Sequence, residues 1–286
     1  MTARFGPAGS GDAFAAAGYK SALQVPGYLA GLGLTAYEYQ CGRGVRISEA
    51  TARKLGDKAR EHGITLSLHA PYYISLSSLE AEKRDNSITY LLDSARAADW
   101  MGARRVILHS GSCGKQSREQ ALELAVDTLS RARTALDEAG FAHIVLCPEV
   151  MGKINQLGTL EEVLTLCETD PRNLPCIDFG HLNARTGGAL TGRAAFAAVL
   201  DQVTARLGPE RGQSFHSHFS MIEYTAGGEK RHLTFEDGGA FGPDFHPLAE
   251  LIAERGLAPT VICESAGTQE IDACAMRDQV RAAMGL

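Results

Sequence analysis

Residues 176–185 read CIDFGHLNAR, and the fold turns on how this stretch is read. Cys176 and Ile177 are apolar, as a strand inside an α/β protein should be. Asp178 and His181 then arrive three residues apart, with Gly180 between them to let the chain turn. The stretch is a buried strand that gives out into ionisable side chains. Seven other runs look strand-like: RFGPAG (4–9), LTAYEYQ (34–40), ITLSLHAPY (64–72), RRVILHSGS (104–112), IVLCPEVMG (144–152), QSFHSHFS (213–220) and TVICESAG (260–267). With LPCIDFGHL (174–182) they make eight. Between them lie segments with apolar residues at helical spacing, such as Ile88, Leu91, Leu92 and Ala95, or Leu122, Leu124, Ala125 and Leu129. An apolar stripe of this period marks an amphipathic helix. Eight strand–helix repeats in 286 residues predict an α/β protein of the (β/α)8 TIM-barrel type. A doubly wound sheet usually has fewer strands and often a GxGxxG loop after the first; GPAGSG (6–11) lacks that spacing. No linker or low-complexity run splits the chain, so residues 1–286 are expected to form a single domain.

Composition narrows the class. Hydrophobic residues make up 44% and charged residues 22%, as in ordinary globular proteins. No apolar run approaches the ~20 residues a membrane span needs, and the first residues lack the basic-then-apolar pattern of a secretory signal. The seven cysteines are odd in number and form no CxxC pair; Cys147, Cys176 and Cys263 sit within apolar runs. A reducing cytoplasm without a disulfide framework is therefore expected. The net charge of −6 does not advertise nucleic-acid binding, although a local basic rim on an acidic protein still binds phosphates.

The later strands all end on ionisable side chains: His69, His109, Glu149, Asp178 with His181, His216 with His218, and Glu264. Active sites of such barrels lie at the C-terminal ends of the strands, so these residues are expected at one mouth. Singly, each is explained as a hydrogen-bonded core histidine or a paired carboxylate. As a set they are not, because few cations neighbour them and unpaired carboxylates raise one another's pKa at a cost in stability. Divalent cations supply the missing charge. Imidazole and carboxylate donors without thiolate suit zinc, manganese or iron better than calcium or magnesium. The donor count fits two or three ions sharing a bridging carboxylate. Metal pairs about 3.5–4 Å apart clamp phosphoryl oxygens during in-line displacement.

The pieces LHAPYYISLSS, LHSGS, PEVMGK, IDFGHLNA, HFS and CESAG, in this order across residues 67–267, together resemble endonuclease IV, the zinc-dependent apurinic/apyrimidinic (AP) endonuclease family. The resemblance implies a (β/α)8 barrel with three metal ions that hydrolyses double-stranded DNA 5′ to abasic sites, as in base excision repair. It implies that His69 and His109 hold one ion and that Glu149 bridges to a second. Asp178, His218 and Glu264 would complete the second site, and His181 and His232 would hold the third. Glu149, Asp178 and Glu264 are the expected catalytic residues, Asp178 also orienting water. Zn2+ is the expected cofactor, with Mn2+ or Fe2+ as alternatives. No membrane and no protein partner are implied.

The sequence departs from the family after the seventh strand. Where an aspartate is expected two residues before His232, GEKRHLTF has Lys230, which cannot ligate while charged. Glu229 could substitute if the loop is re-routed, so the third site is expected to be weakened, rebuilt or empty. In SFHSHFS, His216 and His218 face the same side; HFS matches the family's polar turn, which favours His218 and leaves His216 deeper. For DNA contact, Tyr72 and Tyr73 sit where the family's loop inserts beside the flipped nucleotide; packing on Pro71 is the alternative. Arg43 and Arg46 in CGRGVR, with Lys115 and Lys153, are candidate phosphate contacts.

Glu149, Asp178, His218 and Glu264 also match the xylose-isomerase-like sugar isomerases and epimerases, which use one divalent ion and two glutamates as acid and base. His69 with His109 favours the multi-metal hydrolase; Lys230 favours the isomerase. A non-enzymatic, metal-dependent DNA-binding module is the third reading, and nothing outside the barrel resembles a recognition helix or basic arm.

Overall fold

A computed structural model of the chain describes residues 2–286. Eight parallel strands form the barrel: β1 (Arg4–Pro7), β2 (Ala36–Gln40), β3 (Thr65–His69), β4 (Arg105–Leu108), β5 (Val145–Pro148), β6 (Cys176–Asp178), β7 (His216–Phe219) and, after an excursion, β10 (Thr260–Cys263). The excursion is an antiparallel hairpin of β8 (Met221–Thr225) and β9 (Gly228–Leu233). Strands β2-β3-β4-β5 run as one ladder and β1-β10-β7-β6 as another. Parallel bridges between Ala8 and Glu38 and between Glu149 and Cys176 join the two into a closed ring. Closure leaves the barrel itself without an open sheet edge.

All eight expected strands are present, each shorter than its apolar run. The largest difference is at 174–182, where only Cys176–Asp178 is strand and Phe179–Arg185 is helix. The Asp178 carboxylate accepts the His181 N–H at 2.7 Å and caps that helix, an arrangement that stabilises a helix start. Gly180 serves packing rather than a turn: a Cβ there would lie 2.5 Å from the Ser220 carbonyl oxygen. The hairpin β8–β9 follows β7 where sequence periodicity indicated only a loop.

The helices cover the outside. In Ala81–Met101, Leu91, Ala95 and Ala98 are buried; in Arg118–Glu138, Ala121, Ala125, Leu129 and Ala132 are buried. Outward strand residues such as Leu66, Leu68, Val106, Leu146 and Phe219 join these helices in one large core. Side chains alternate across a strand, so the other parity points into the barrel. There Ile107, Cys147 and Cys176 form a separate small apolar cluster. Around and above it the interior is polar: Glu38, Ser67, His69, Glu149, Asp178, His216 and His218 are all buried.

Candidate metal centre at the barrel mouth

Register brings the polar side chains together. Cys176 pairs with His216 and Asp178 with His218, one side-chain repeat higher. Ile107 pairs with His69 on one side and Cys147 on the other, so His109 and Glu149, each two residues further on, rise to the same level. Four sets of donors result, within each of which the donor atoms lie no more than 4.8 Å apart: His69–His109–Glu149, Glu149–Asp178–His218–Glu264, His181–Glu229–His232 and, reaching one layer deeper, Cys176–His216–His218. Glu149 is common to the first two. Its Oε2 is 3.2 Å from both His69 Nε2 and His109 Nε2, and its Oε1 is 3.0 Å from His218 Nδ1. A carboxylate split this way between two groups of imidazoles has the geometry of a bridging ligand.

The third set depends on the hairpin. Along β9 the pairing runs Arg231 to Glu223 and then Glu229 to Tyr224, skipping Lys230. Lys230 is thus the extra residue of a β-bulge, a feature that shifts every following side chain by one position. The bulge puts Glu229 and His232, three residues apart, on one face; without it, residues two apart would share that face. Glu229 Oε2 lies 3.4 Å from His181 Nε2, while the exposed Lys230 ammonium pairs with Glu223 outside. The His181 and His232 rings meet edge to face with centroids 5.5 Å apart. Gly152 makes room: a Cβ there would lie 2.6 Å from Glu229 Cβ and 2.8 Å from His181 Cδ2. His181 Nδ1 donates to the Val150 carbonyl at 3.0 Å, which turns Nε2 toward Glu229.

The electrostatics are those of a site lacking positive charge. Burial pushes Asp178 up, the His181 charge opposes, and Glu264 and Glu149 push it further, to about 6. Burial lowers His181, but Asp178, Glu149 and Glu229 outweigh it and carry the ring to about 10. Burial would raise Glu149; the His218 charge and hydrogen bonds from His109, His181 and His218 instead hold it well below the usual carboxylate range. Asp178 Oδ2 is buried and accepts no hydrogen bond, although His181 Nδ1 lies 3.0 Å away. The protein balances its carboxylates with protons on imidazoles, the role a divalent cation takes over when it binds. The orphaned oxygen and the mixed N/O donors fit such a cation, zinc, manganese or iron among them.

These sets open into a cavity of about 200 Å³ lined also by Tyr72, Met151, Lys153 and Gln156. Of the expected nucleic-acid contacts, Tyr72 stands beside the site, its ring stacked on His109 at 5.5 Å. Tyr73 turns away to Tyr90. Arg43 and Arg46 line a neighbouring groove with Tyr39, Gln40 and Cys41. Lys153 is on the cavity wall and Lys115 is not among its lining residues. His216 lies beneath His218, with Nε2 2.9 Å from Glu38 Oε2. Glu38, wholly buried at the centre of β2, was missed by sequence reading. The alternation of LTAYEYQ does signal it, since Glu38 shares the inward face with Ala36 and Gln40.

Residues 27–284 match the xylose isomerase-like TIM barrel family. An uncharacterised protein of Methanocaldococcus jannaschii is 34% identical over 234 residues, covering 82% of this chain and 83% of that one. A probable endonuclease 4 of Ureaplasma urealyticum is 26% identical over 157 residues, covering 52% of this chain and 50% of its own length. Among solved structures, endonuclease IV from Thermus thermophilus superposes with a TM-score of 0.67 at 21% identity, covering 99% of each chain. A D-psicose 3-epimerase from Clostridium cellulolyticum gives the same TM-score, 0.67, at 14% identity, covering 98% of this chain and 99% of its own. Equal scores for a nuclease and an epimerase show the shared fold and leave the chemistry to the site.

Proposed function

The chain belongs to the xylose isomerase-like TIM barrel family, and from that premise we propose that it is a metal-dependent phosphodiesterase that cleaves double-stranded DNA 5′ to abasic sites. The observation that carries this reading is the presence of three imidazole–carboxylate donor sets rather than one. A single-ion isomerase needs only Glu149, Asp178, His218 and Glu264. His69 with His109, and His181 with Glu229 and His232, have no task in that chemistry but extend the site to the three-ion arrangement of endonuclease IV. The endonuclease 4 relatives point the same way.

In this reading His69, His109, Glu149, Asp178, His181, His218, Glu229, His232 and Glu264 hold the ions, with Glu229 in place of the expected acid. When bound, the ions supply Lewis-acid charge to the phosphoryl oxygens. The chain's own residues do the rest. Glu264, a carboxylate at the cavity wall with a partly solvent-open side chain, accepts a proton from the attacking water as its oxygen bonds to phosphorus. Asp178, whose Oδ2 is unpartnered, orients that water. The bond from phosphorus to the 3′ oxygen breaks, and the leaving oxygen takes a proton from solvent. Lys153 on the cavity wall pairs with a phosphate, and Tyr72 over His109 stacks on a base beside the abasic gap. A reducing cytoplasm is the compartment that matches this reading.

Incubation with a duplex carrying one abasic site, at stoichiometric Zn2+ or Mn2+, tests the reading. Nicking 5′ to the site, absent from the undamaged duplex, is expected. The second reading, a one-ion sugar epimerase, draws on the epimerase neighbour and the self-sufficiency of the Glu149–Asp178–His218–Glu264 set. Absence of nicking together with epimerisation of a ketose would establish it instead.

A further inference from the structure

We propose that Glu38 is a positioning residue that sets the His218 ring for metal binding; the inference rests on the metal-dependent reading above. Glu38 is wholly buried at the centre of β2, one side-chain layer below the donor sets. Four polar groups surround its carboxylate. Ser67 Oγ donates to Oε2 at 2.8 Å, and His216 Nε2 meets the same oxygen at 2.9 Å. Gln40 Nε2 donates to Oε1 at 3.2 Å. His218 Nε2 lies 2.9 Å from Oε1, bent away from the line of a regular hydrogen bond. Among the described residues no lysine or arginine pairs with Glu38; its only charged partners are His216 and His218.

The two nitrogens of His218 therefore face different carboxylates. Nδ1 looks up, 3.0 Å from Glu149 and 3.6 Å from Glu264. Nε2 looks down at Glu38. A carboxylate beside one ring nitrogen keeps the proton there, leaves the lone pair on the other and makes it a better donor. Ser67, Gln40 and His216 hold the carboxylate in place, so the ring is fixed before an ion arrives. Outer partners of this kind are worth about 10–100-fold in metal affinity. Glu38 thus acts on the metal centre through His218, because among the described residues its ion pairs with histidine are those to His218 and to His216 one layer below.

The test compares the full chain with Glu38→Gln and Glu38→Ala, each stripped of metal and titrated with Zn2+ against a chelator of known affinity. His218→Ala identifies the titration step that belongs to the Glu149–Asp178–His218–Glu264 set. Glu38→Ala is expected to weaken that step about 10–100-fold and leave the others unchanged. Glu38→Gln, which keeps size and an acceptor oxygen, is expected to weaken it less and serves as the variant that folds. In the zinc-loaded wild type, proton NMR is expected to show a His218 Nε2–H protected from solvent exchange, and to lose it in Glu38→Ala. Unchanged zinc affinity in both variants, with only a lowered melting temperature, would overturn the role of Glu38 while leaving the metal reading intact. A wild type that binds no zinc at all would remove the metal reading itself, and the inference with it.

Discussion

The strand ends and the β8–β9 hairpin both present imidazoles and carboxylates to the same cavity, but they hold them differently. Asp178 and His218 lie within barrel strands and Glu149 and Glu264 follow directly on them, where ladder pairing sets their height and alternation sets their direction. Glu229 and His232 sit on a two-stranded ribbon whose register shifts between Glu223 and Tyr224. An isolated two-stranded ribbon is marginally stable; this one is anchored by backbone hydrogen bonds from Glu229 N–H to Gly152 and from Ile154 N–H to Gly227. The strand ends are thus held from both sides, whereas on the hairpin the acid facing His181 stands one position before the one the family resemblance implied, with the donor atoms still clustered.

The largest expected effect comes from attacking the strand ends where two sets meet. Glu149→Ala removes the carboxylate common to both. Cleavage of abasic duplex is expected to fall by at least ~10³-fold, corresponding to about 4 kcal/mol of lost transition-state stabilisation, and metal analysis is expected to show fewer bound ions. Retention of wild-type cleavage would remove Glu149 from the mechanism. The hairpin is expected to be more forgiving. Glu229→Ala should cost one ion and roughly 10–100-fold in rate, comparable to loss of an outer partner. Lys230→Ala should stay within about twofold of wild type, as exposed substitutions usually do. If the order of these two is reversed, the bulge does not choose the acid.

Tyr72 and Tyr73 carry the contrast to the rim. Tyr72, stacked on His109, is expected to lose roughly 5–100-fold in binding of abasic duplex when changed to alanine, the worth of one base–aromatic stack. Tyr73, packed toward Tyr90, should change it far less. Equal effects in a binding titration would dissolve the distinction.

The smallest effect concerns the metal-free protein. His181 is raised in the folded state from 6.5 to about 10, with burial opposing and Asp178, Glu149 and Glu229 raising it. A raised histidine contributes stability that is fully present below its unfolded value and lost as pH rises through its folded value. The melting temperature of the metal-free chain is therefore expected to decline by several degrees from pH 6.5 toward pH 10. His181→Gln should flatten the decline, and zinc loading should abolish it. A melting temperature that rises over this window would contradict the assigned charge balance.

Much of this was legible because barrels convert local sequence into position. An apolar run ending in His69, Glu149 or Glu264 states both that a strand is present and that its last side chain reaches the mouth. No knowledge of its neighbours is needed, since parallel strands all end at one face. Glu38 was legible in principle from alternation, but a single acid inside LTAYEYQ resembles any half-exposed strand residue until its neighbours are known.

The chain's own pattern therefore determined the (β/α)8 barrel, through eight apolar runs separated by helical periods, and marked the candidate donors at the strand ends by residue type, whereas His232, on β9, was indicated only by the family resemblance. Tertiary structure decided the rest. Whether Glu229 or Lys230 faces His181 depends on one bulge, and a one-residue slip in a ribbon exchanges its faces entirely. That His216 turns to Glu38 while His218 reaches both Glu38 and Glu149 depends on the register between β2, β7 and β5, strands distant in sequence. Periodicity along one strand fixes which side chains point inward. Only the pairing between strands fixes the layer at which each one arrives.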